Sequence, residues 1–137
     1  MEKKLETWCF GGDKKTADRL FELVKTGRKT ATCSLYLGEE ISKNIGYSIL
    51  TNFDQTQKLK IKTKKAYVTK FCDVTSEHAK MEGEGNLSLA YWRKIHKKFF
   101  KKECKKNKMK FCEDIEILCE EFQIVEWNAF LRGWFYV

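Results

Sequence analysis

Three short segments of the chain carry side chains whose types and spacing could do chemistry. The first is GRKTATCSL, residues 27–35. In an extended chain Thr30, Thr32 and Ser34 share one face, and Lys29 joins them only if the chain turns at that corner. A lysine there could hold a phosphate as a point charge or, when desolvated, act as a base. The alternative is that Lys29 complements the negative end of a preceding helix and that the threonines are ordinary strand residues.

The second segment is EGEG, residues 82–85. Glycine permits sharp turns and lets a ligand approach the backbone closely. Glu82 or Glu84 on such a turn could act as a general acid or base, or could accept a hydrogen bond from a nucleobase or a sugar. The other interpretation is a solvated loop in which Glu84 complements the positive end of the next helix.

The third segment is a lysine-rich stretch with interspersed aromatic residues, from residue 86 to about 106. Aromatic rings among cations suit stacked bases and phosphates. Trp92 and Phe99, however, also have the spacing of a buried helical stripe, and His96 suits a structural hydrogen bond. The lysines suit a solvated face as well. Across the three segments, the candidate ligand-binding residues are Ser34, Glu84, Arg93, His96 and Lys97.

The composition limits the class of protein. The chain has 137 residues, is 42% hydrophobic and carries a formal charge of +8. This length and apolar content suit one compact domain over residues 1–137. The positive charge favours a polyanionic partner, either a nucleic acid such as RNA or an acidic protein surface.

The cysteines and the apolar runs bear on cofactors and location. The six cysteines are scattered, none lies in a C-x-x-C pair, and only two histidines could be co-ligands. We therefore expect reduced, mostly buried thiols, no metal site and no cofactor. No apolar run approaches the roughly 20 residues of a membrane span, and the start, MEKKLETW, has no apolar signal region. We expect a cytoplasmic protein that does not enter a membrane.

The periodicity of apolar residues predicts the elements that must position these segments. A helix is predicted over about 14–26, with its buried face between Ala17 and Val24, Asp13 as N-cap and Gly27 at its end. A short helix with Ser76 as cap is predicted at 76–82. A longer helix is predicted at 86–106, and its expected buried stripe is Leu89, Trp92, Ile95 and Phe99.

Strands are predicted in segments rich in β-branched, aromatic and other apolar residues, of which 58–63 alternates strictly with polar residues. These segments are 30–37, 46–53, 58–63, 66–71 and 116–126, with a last strand in the terminal WFYV. Several strands and a few helices without regular βαβ alternation predict an α+β fold, built on a small barrel or curled sheet.

Taken together, the motifs resemble the ASCH family, a PUA-like group of domains. The resemblance runs from Trp8 to about Val125 and rests on the order and spacing of several motifs. These are WCFGG, ADRL and LV, then GRKTATCSL, then FCDV with HA and EGEG, then SLAYWRKIHKKFF, and finally CEEF. The resemblance implies a small PUA-like β-barrel flanked by helices, with a cleft between them.

The resemblance also implies a catalytic set. The family is similar to RNA-binding and RNA-modifying PUA domains; one branch deacetylates acetylated cytidine and another cleaves RNA. The amidohydrolase branch uses a Lys, a Thr three residues later and a downstream Glu, which implies Lys29, Thr32 and Glu82, with Glu84 as the second choice. Thr32 would be the nucleophile, Lys29 its base, and Glu82 a proton shuttle or an orienting group. Ser34 stands where that branch has an Arg.

The leading hypothesis is a domain that binds RNA or a nucleotide in the cleft and either only binds it or also hydrolyses it, as a ribonuclease or an acetylcytidine amidohydrolase would. Lys29, Thr32 and Glu82 would then meet around one solvent-accessible hollow, with the basic helix holding the polyanion outside it. The alternative is a non-catalytic adaptor for an acidic protein partner, for which residues 94–110 would matter instead. A third alternative is an inactive member that kept the fold.

Overall fold

A computed structural model describes residues 5–125 of the chain. The strands are β1 (Thr7–Cys9), β2 (Ala31–Leu35), β3 (Gly46–Thr51), β4 (Lys58–Lys70) and β5 (Glu116–Ile124). The helices are α1 (Lys14–Lys25), α2 (Ser76–Glu82) and α3 (Leu89–Lys106). The strands form one sheet in the order β1-β3-β4-β5-β2, curled into a half-barrel. The predicted α+β fold on a curled sheet is thus confirmed.

The long strand β4 joins two segments that were predicted as separate strands, and that prediction is wrong. β4 pairs antiparallel with β3 in its first half and with β5 along most of its length. Its register with β5 shifts between Thr63 and Lys65, as in a β-bulge. The extra residue there interrupts the alternation without ending the strand. Beyond the bulge the odd-numbered side chains face the opposite side of the sheet.

This reversal lets the sheet serve two hydrophobic cores. Ile61, before the bulge, is buried with Phe21 and Val24 of α1. Tyr67, after the bulge, packs on the other core, to which α2 and α3 contribute. The buried members of that second core include Cys33, Phe71, Trp92, Phe100 and Ile117.

The helix ends follow capping rules. The Asp13 carboxylate accepts from the Thr16 amide at 2.8 Å, which confirms the predicted N-cap of α1. The cap of α2 is Thr75, whose hydroxyl accepts from the His78 amide, so the prediction of Ser76 was wrong by one position. α3 begins at Leu89 rather than 86, because Ser88 supplies its cap.

The buried stripe of α3 differs from the predicted one. Trp92 is buried, and so are His96, Phe100 and Cys104, which follow it at steps of four residues. Leu89 packs partly against the core. Ile95 is only half-buried and Phe99 is 41% exposed, so the prediction that Phe99 lies in the core is wrong. With several aromatic residues in succession, apolar spacing alone could not separate the row through Phe100 from the row through Phe99.

One predicted strand lies outside the described residues. The predicted terminal strand WFYV lies in residues 126–137, which are outside the described part, and β5 ends at Ile124. None of the helices within residues 5–125 is long and apolar enough to cross a membrane. All six cysteines are free; Cys33, Cys104 and Cys119 are buried, whereas Cys9 and Cys112 are exposed.

Candidate functional site

The corner between α1 and β2 turns Lys29 into the protein interior. Gly27 takes φ +84°, a left-handed conformation that glycine adopts without a side-chain penalty. The Lys29 amide donates to the Leu23 carbonyl at 2.9 Å, and the Thr30 amide donates to the Met81 carbonyl at 2.7 Å. These bonds fix the corner to both α1 and α2, and they leave Lys29 only 2% exposed.

The EGEG segment packs closely against this corner. Gly83 ends α2 with φ +77°, and a Cβ atom there would lie 2.4 Å from the Arg28 carbonyl oxygen. Arg28 in turn donates from Nε to the Gly83 carbonyl at 2.7 Å and from Nη2 to the Gly85 carbonyl at 2.9 Å. The glycines therefore permit the close approach that places Glu82 against Lys29.

Lys29 and Glu82 form a buried ion pair. Lys29 Nζ donates to Glu82 Oε1 at 2.8 Å, and the two side chains are 2% and 1% exposed. The other oxygen, Oε2, accepts from Trp92 Nε1 at 3.0 Å and lies 2.8 Å from His78 Nε2. His78 Nε2 must carry a proton, because a carboxylate only accepts. The buried carboxylate thus has a counter-charge and a partner for each oxygen, as burial requires.

This environment keeps Glu82 ionised. Burial acts to raise the pKa of its carboxyl, but the Lys29 ammonium and the His78 hydrogen bond outweigh it and hold the pKa well below the usual value. Such a carboxylate is poorly suited to exchange protons near neutral pH. Of the two implied roles, the geometry favours an orienting group over a proton shuttle.

The space beside the Glu82 carboxylate of this ion pair is filled. A solvent-accessible hollow was expected at Lys29 and Glu82, and their burial shows that this expectation is wrong for these two groups. The reason is that the indole of Trp92 occupies the space beside the carboxylate. Glu84 and His96, whose side chains are 11% and 10% exposed, are the more accessible members of the cluster.

Thr32 and Ser34 lie on the other face of β2. Burial alternates along this strand, and these two residues are the partly exposed ones. Within residues 5–125, no hydrogen bond or ion pair joins Thr32 to Lys29 or Glu82. Thr32 instead pairs across the strands with Glu120, and burial raises the pKa of that carboxyl. The structure therefore brings two of the three implied catalytic residues together and places the third beside a different carboxylate.

Two of the predicted ligand-binding residues border the buried pair. The Glu84 carboxylate lies 3.9 Å from Lys29 Nζ. The His96 ring stacks on Trp92 at 4.3 Å, and its Nε2 lies 3.7 Å from Glu82 Oε1. His96 Nδ1 lies 2.9 Å from the Trp92 carbonyl oxygen and therefore carries a proton. Burial lowers the pKa of His96, which favours the neutral imidazole at pH 7.

The other two predicted binding residues of α3 have different environments. Arg93 donates to the backbone carbonyls of Phe71 at 3.3 Å and Cys72 at 3.0 Å, so its guanidinium anchors α3 to the turn after β4. Lys97 is exposed, and its ammonium lies 3.6 Å from the Glu113 carboxylate. Of these two cations, Lys97 is the one that presents its charge to solvent.

The buried cluster also contains groups of metal-ligating type. Within residues 5–125 they are Cys33, His78 and Glu82, and Glu82, Glu84 and His96. The Lys29 ammonium already compensates the shared carboxylate, so a cation would have to compete with it. Burial, with the Glu82 charge, raises the pKa of the Cys33 thiol, and a protonated thiol is a poor ligand. The expectation of no metal stays a prediction.

A cavity of about 170 Å³ borders Lys29 elsewhere. Its lining residues are Val24, Gly27, Lys29, Thr30, Phe122, Gln123 and Ile124. Neither Thr32 nor Glu82 belongs to this lining, so the cavity differs from the implied cleft.

α3 carries the largest net charge of any helix or strand in the described chain. The helix contains eight lysine and arginine residues and one carboxylate, Glu103, giving +7 with neutral histidine. The whole chain carries +8, which leaves +1 for all other residues. The outer side of α3 is therefore a strongly basic surface; β4, with six lysines and no carboxylate, is the other strongly basic element of the described chain.

Sequence reasoning missed several residues of the buried cluster. His78 and Trp92 hold the Glu82 carboxylate, but neither was nominated for this role. A signal existed for His78, because it lies four residues before Glu82 and so on the same side of α2. Glu120 was also missed, because only the strand register shows that it lies opposite Thr32.

Comparison with known proteins gives a family and a fold. A family model described as ASCH domain matches residues 6–126. An ASCH domain from Lactobacillus crispatus JV V101 is 28% identical with a TM-score of 0.78, over 88% of this chain and 79% of that one. A protein from Enterococcus faecalis V583 is 30% identical with a TM-score of 0.77, over 91% and 82%.

A more distant solved structure supports the fold alone, and the curated proteins give no match. A hypothetical protein of known structure is 20% identical with a TM-score of 0.51, over 79% of this chain and 93% of that one, and supports the fold alone. No curated protein matches the chain. The implied PUA-like fold is confirmed.

Proposed function

We propose that this chain, which belongs to the ASCH domain family, is an RNA-binding domain that holds RNA on the outer side of α3. The observation that carries the proposal is the +7 charge of that helix in a chain of +8. Five of its lysines make no ion pair or hydrogen bond within residues 5–125: Lys94, Lys98, Lys101, Lys102 and Lys105. We call these five residues the lysine sector.

Unpaired lysines suit a phosphate backbone for a physical reason. Each ammonium that neutralises a phosphate releases a condensed counterion, so affinity falls as salt rises. With five phosphates contacted, log affinity for single-stranded RNA should fall against log salt with a slope of about −3.5. Lysines already paired with carboxylates add less, because their charge is partly compensated.

A salt titration of RNA binding tests the proposal. Replacing Lys98 and Lys101 by Gln should weaken binding and make the slope shallower by about 1.4. The matched control replaces Lys14 and Lys43, which are exposed but paired with Asp18 and Glu40, and should change the slope much less. Failure of the wild-type protein to bind RNA even at low salt would reject the proposal and would favour the acidic-protein adaptor.

Hydrolysis at Thr32 is a second candidate function. Two observations favour it. The Lys29–Glu82 ion pair fixes the chain three residues before Thr32. The Thr32 side chain is partly exposed and has no hydrogen-bond partner within the described chain. Thr32 would be the nucleophile, and the buried pair would hold the β2 corner that carries it. Ser34, on the same face of β2, would contact the substrate.

Assays on acetylated cytidine and on single-stranded RNA test this candidate. Thr32→Val should abolish turnover and leave folding unchanged, whereas Thr30→Val, two residues earlier on the same chain, should keep turnover. Full activity in Thr32→Val would exclude this nucleophile. Absence of turnover in the wild-type protein on both substrates would leave RNA binding as the function.

A further inference from the structure

The lysine sector occupies one side of α3. At about 100° per residue, its five members fall within roughly 100° of the helix surface. Lys94 and Lys105 are eleven positions apart, or about 16 Å along the axis. All five side chains belong to exposed residues. The sector is thus a continuous band of charge about 16 Å long, which one nucleic-acid strand can follow with several of its phosphates.

An exposed aromatic ring borders this band. Phe99 is 41% exposed, although the neighbouring Phe100 is fully buried. On the helix surface Phe99 lies about 60° from Lys102, between the lysine sector and the buried stripe. Its ring meets that of Phe100 edge-on at 5.0 Å and 73°, so the core fixes its position while one side stays open.

We propose that the lysine sector and Phe99 together bind single-stranded RNA, with the lysines on consecutive phosphates and the Phe99 ring stacked on one unpaired base. This inference rests on the proposed function and names its substrate class. In a duplex each base is already stacked between its neighbours, so a side chain reaches a base face only in single strands, loops or ends. An aromatic ring beside a cationic band is the arrangement that single-strand binders use.

The contributions of base stacking and of charge to RNA affinity can be measured separately. Loss of a stacking ring weakens binding by roughly 5- to 150-fold, the range given by 1–3 kcal/mol per base, but removes no charge. The slope against salt should therefore stay constant in a Phe99 variant. Loss of a lysine changes the slope whether the RNA is single- or double-stranded.

The experiment measures binding of a fluorescent single-stranded 12-mer RNA and of the same sequence as a duplex, by anisotropy at several salt concentrations. Phe99→Ala and Phe99→Leu should each weaken single-strand binding at least 5-fold without a change in slope, while Phe99→Trp keeps the affinity. Duplex binding should be weaker in the wild-type protein and insensitive to all three changes. Met109→Ala is the matched control, since Met109 is also 41% exposed but lies outside α3.

The outcomes separate this inference from the proposed function. If Phe99→Ala and Phe99→Leu bind the single strand as the wild type does, and lysine variants still weaken binding, the protein binds RNA but Phe99 does not stack. Equal affinity for single strand and duplex would also overturn the inference. If the wild type binds neither RNA, both proposals fail. Thermal melting of each variant shows whether it is folded, and Phe99→Trp keeps the test valid if the smaller side chains destabilise α3.

Discussion

Replacing Glu82 by Gln should destabilise the fold strongly, because the buried ammonium loses its close counter-charge and keeps only the Glu84 carboxylate, 3.9 Å away. Lys29 is 2% exposed and its Nζ lies 2.8 Å from Glu82 Oε1. Removing one partner of a buried ion pair costs about 3–5 kcal/mol. The new carboxamide would also turn its NH2 group toward a donor, either Lys29 Nζ or the pair formed by His78 Nε2 and Trp92 Nε1.

Urea unfolding measures this loss. With a urea m-value of about 2 kcal/mol/M, a loss of 3–5 kcal/mol lowers the midpoint by about 1.5–2.5 M. In thermal melting, at roughly 4 °C per kcal/mol, the same loss lowers Tm by about 10–20 °C. Far-UV circular dichroism and tryptophan fluorescence should report the same transition if unfolding is two-state.

Glu121→Gln is the matched control. That carboxylate lies 3.8 Å from Lys65 Nζ, and the Lys65 side chain is 62% exposed, so the change should cost less than about 1 kcal/mol. The double variant Lys29→Met/Glu82→Leu should cost less than the sum of its two single changes, because it leaves no uncompensated charge. If Glu82→Gln loses no more stability than Glu121→Gln, the claim of a buried, coupled ion pair is refuted.

Two buried titratable groups, two glycines and the cysteines give further tests of this geometry. The pKa of Glu82 is lowered in the folded state. The ionised Glu82 carboxylate therefore stabilises the fold above its unfolded pKa of about 4.3, and this stabilisation is lost as the pH falls below that value. Urea midpoints measured from pH 7 to pH 3 should fall less in Glu82→Gln than in the wild type. Burial lowers the pKa of His96, so the unfolded chain takes up the proton first and stability falls as pH drops below about 6.5; His96→Gln should lack this step, and an unchanged pH profile would contradict it. Gly83→Ala should lower the free energy of unfolding clearly more than Gly27→Ala, because only at Gly83 does the new Cβ meet a backbone carbonyl, 2.4 Å away. Gly27→Ala isolates the left-handed penalty of about 1 kcal/mol. Equal Tm values for the two variants would count against this packing. The exposed thiols of Cys9 and Cys112 should react with a thiol reagent before the buried thiols of Cys33 and Cys119. Burial raises the pKa of both buried thiols, that of Cys119 to about 12, and so keeps them protonated. Peptide mapping of the labelled protein gives the order of reaction.

Local signals in the sequence were enough for most of the elements. The Asp13 cap, the apolar spacing of α1 and Gly27 agree with one another, and α1 forms where they predict it. The alternation within Lys58–Lys70 was also visible, but the bulge near Lys65 was not. A bulge is set by pairing with β5, a distant segment, and leaves little local trace.

The candidate site shows the same limit more sharply. Family resemblance placed Lys29 and Glu82 in one site, and they meet at 2.8 Å. Local reasoning already placed Lys29 out of phase with Thr32, and the corner turns Lys29 to the face opposite Thr32. Whether the pair is open to solvent depends on Trp92, a residue of another helix, so no local pattern could show it.

The most direct test of the RNA-binding surface is an NMR titration of the ¹⁵N-labelled protein with single-stranded RNA at low salt. The amide shifts that change most should belong to residues 94–105 of α3, including Phe99, and these changes should disappear as salt rises. Shift changes confined to other surfaces, or none at a saturating RNA concentration, would contradict the claim that α3 holds the RNA.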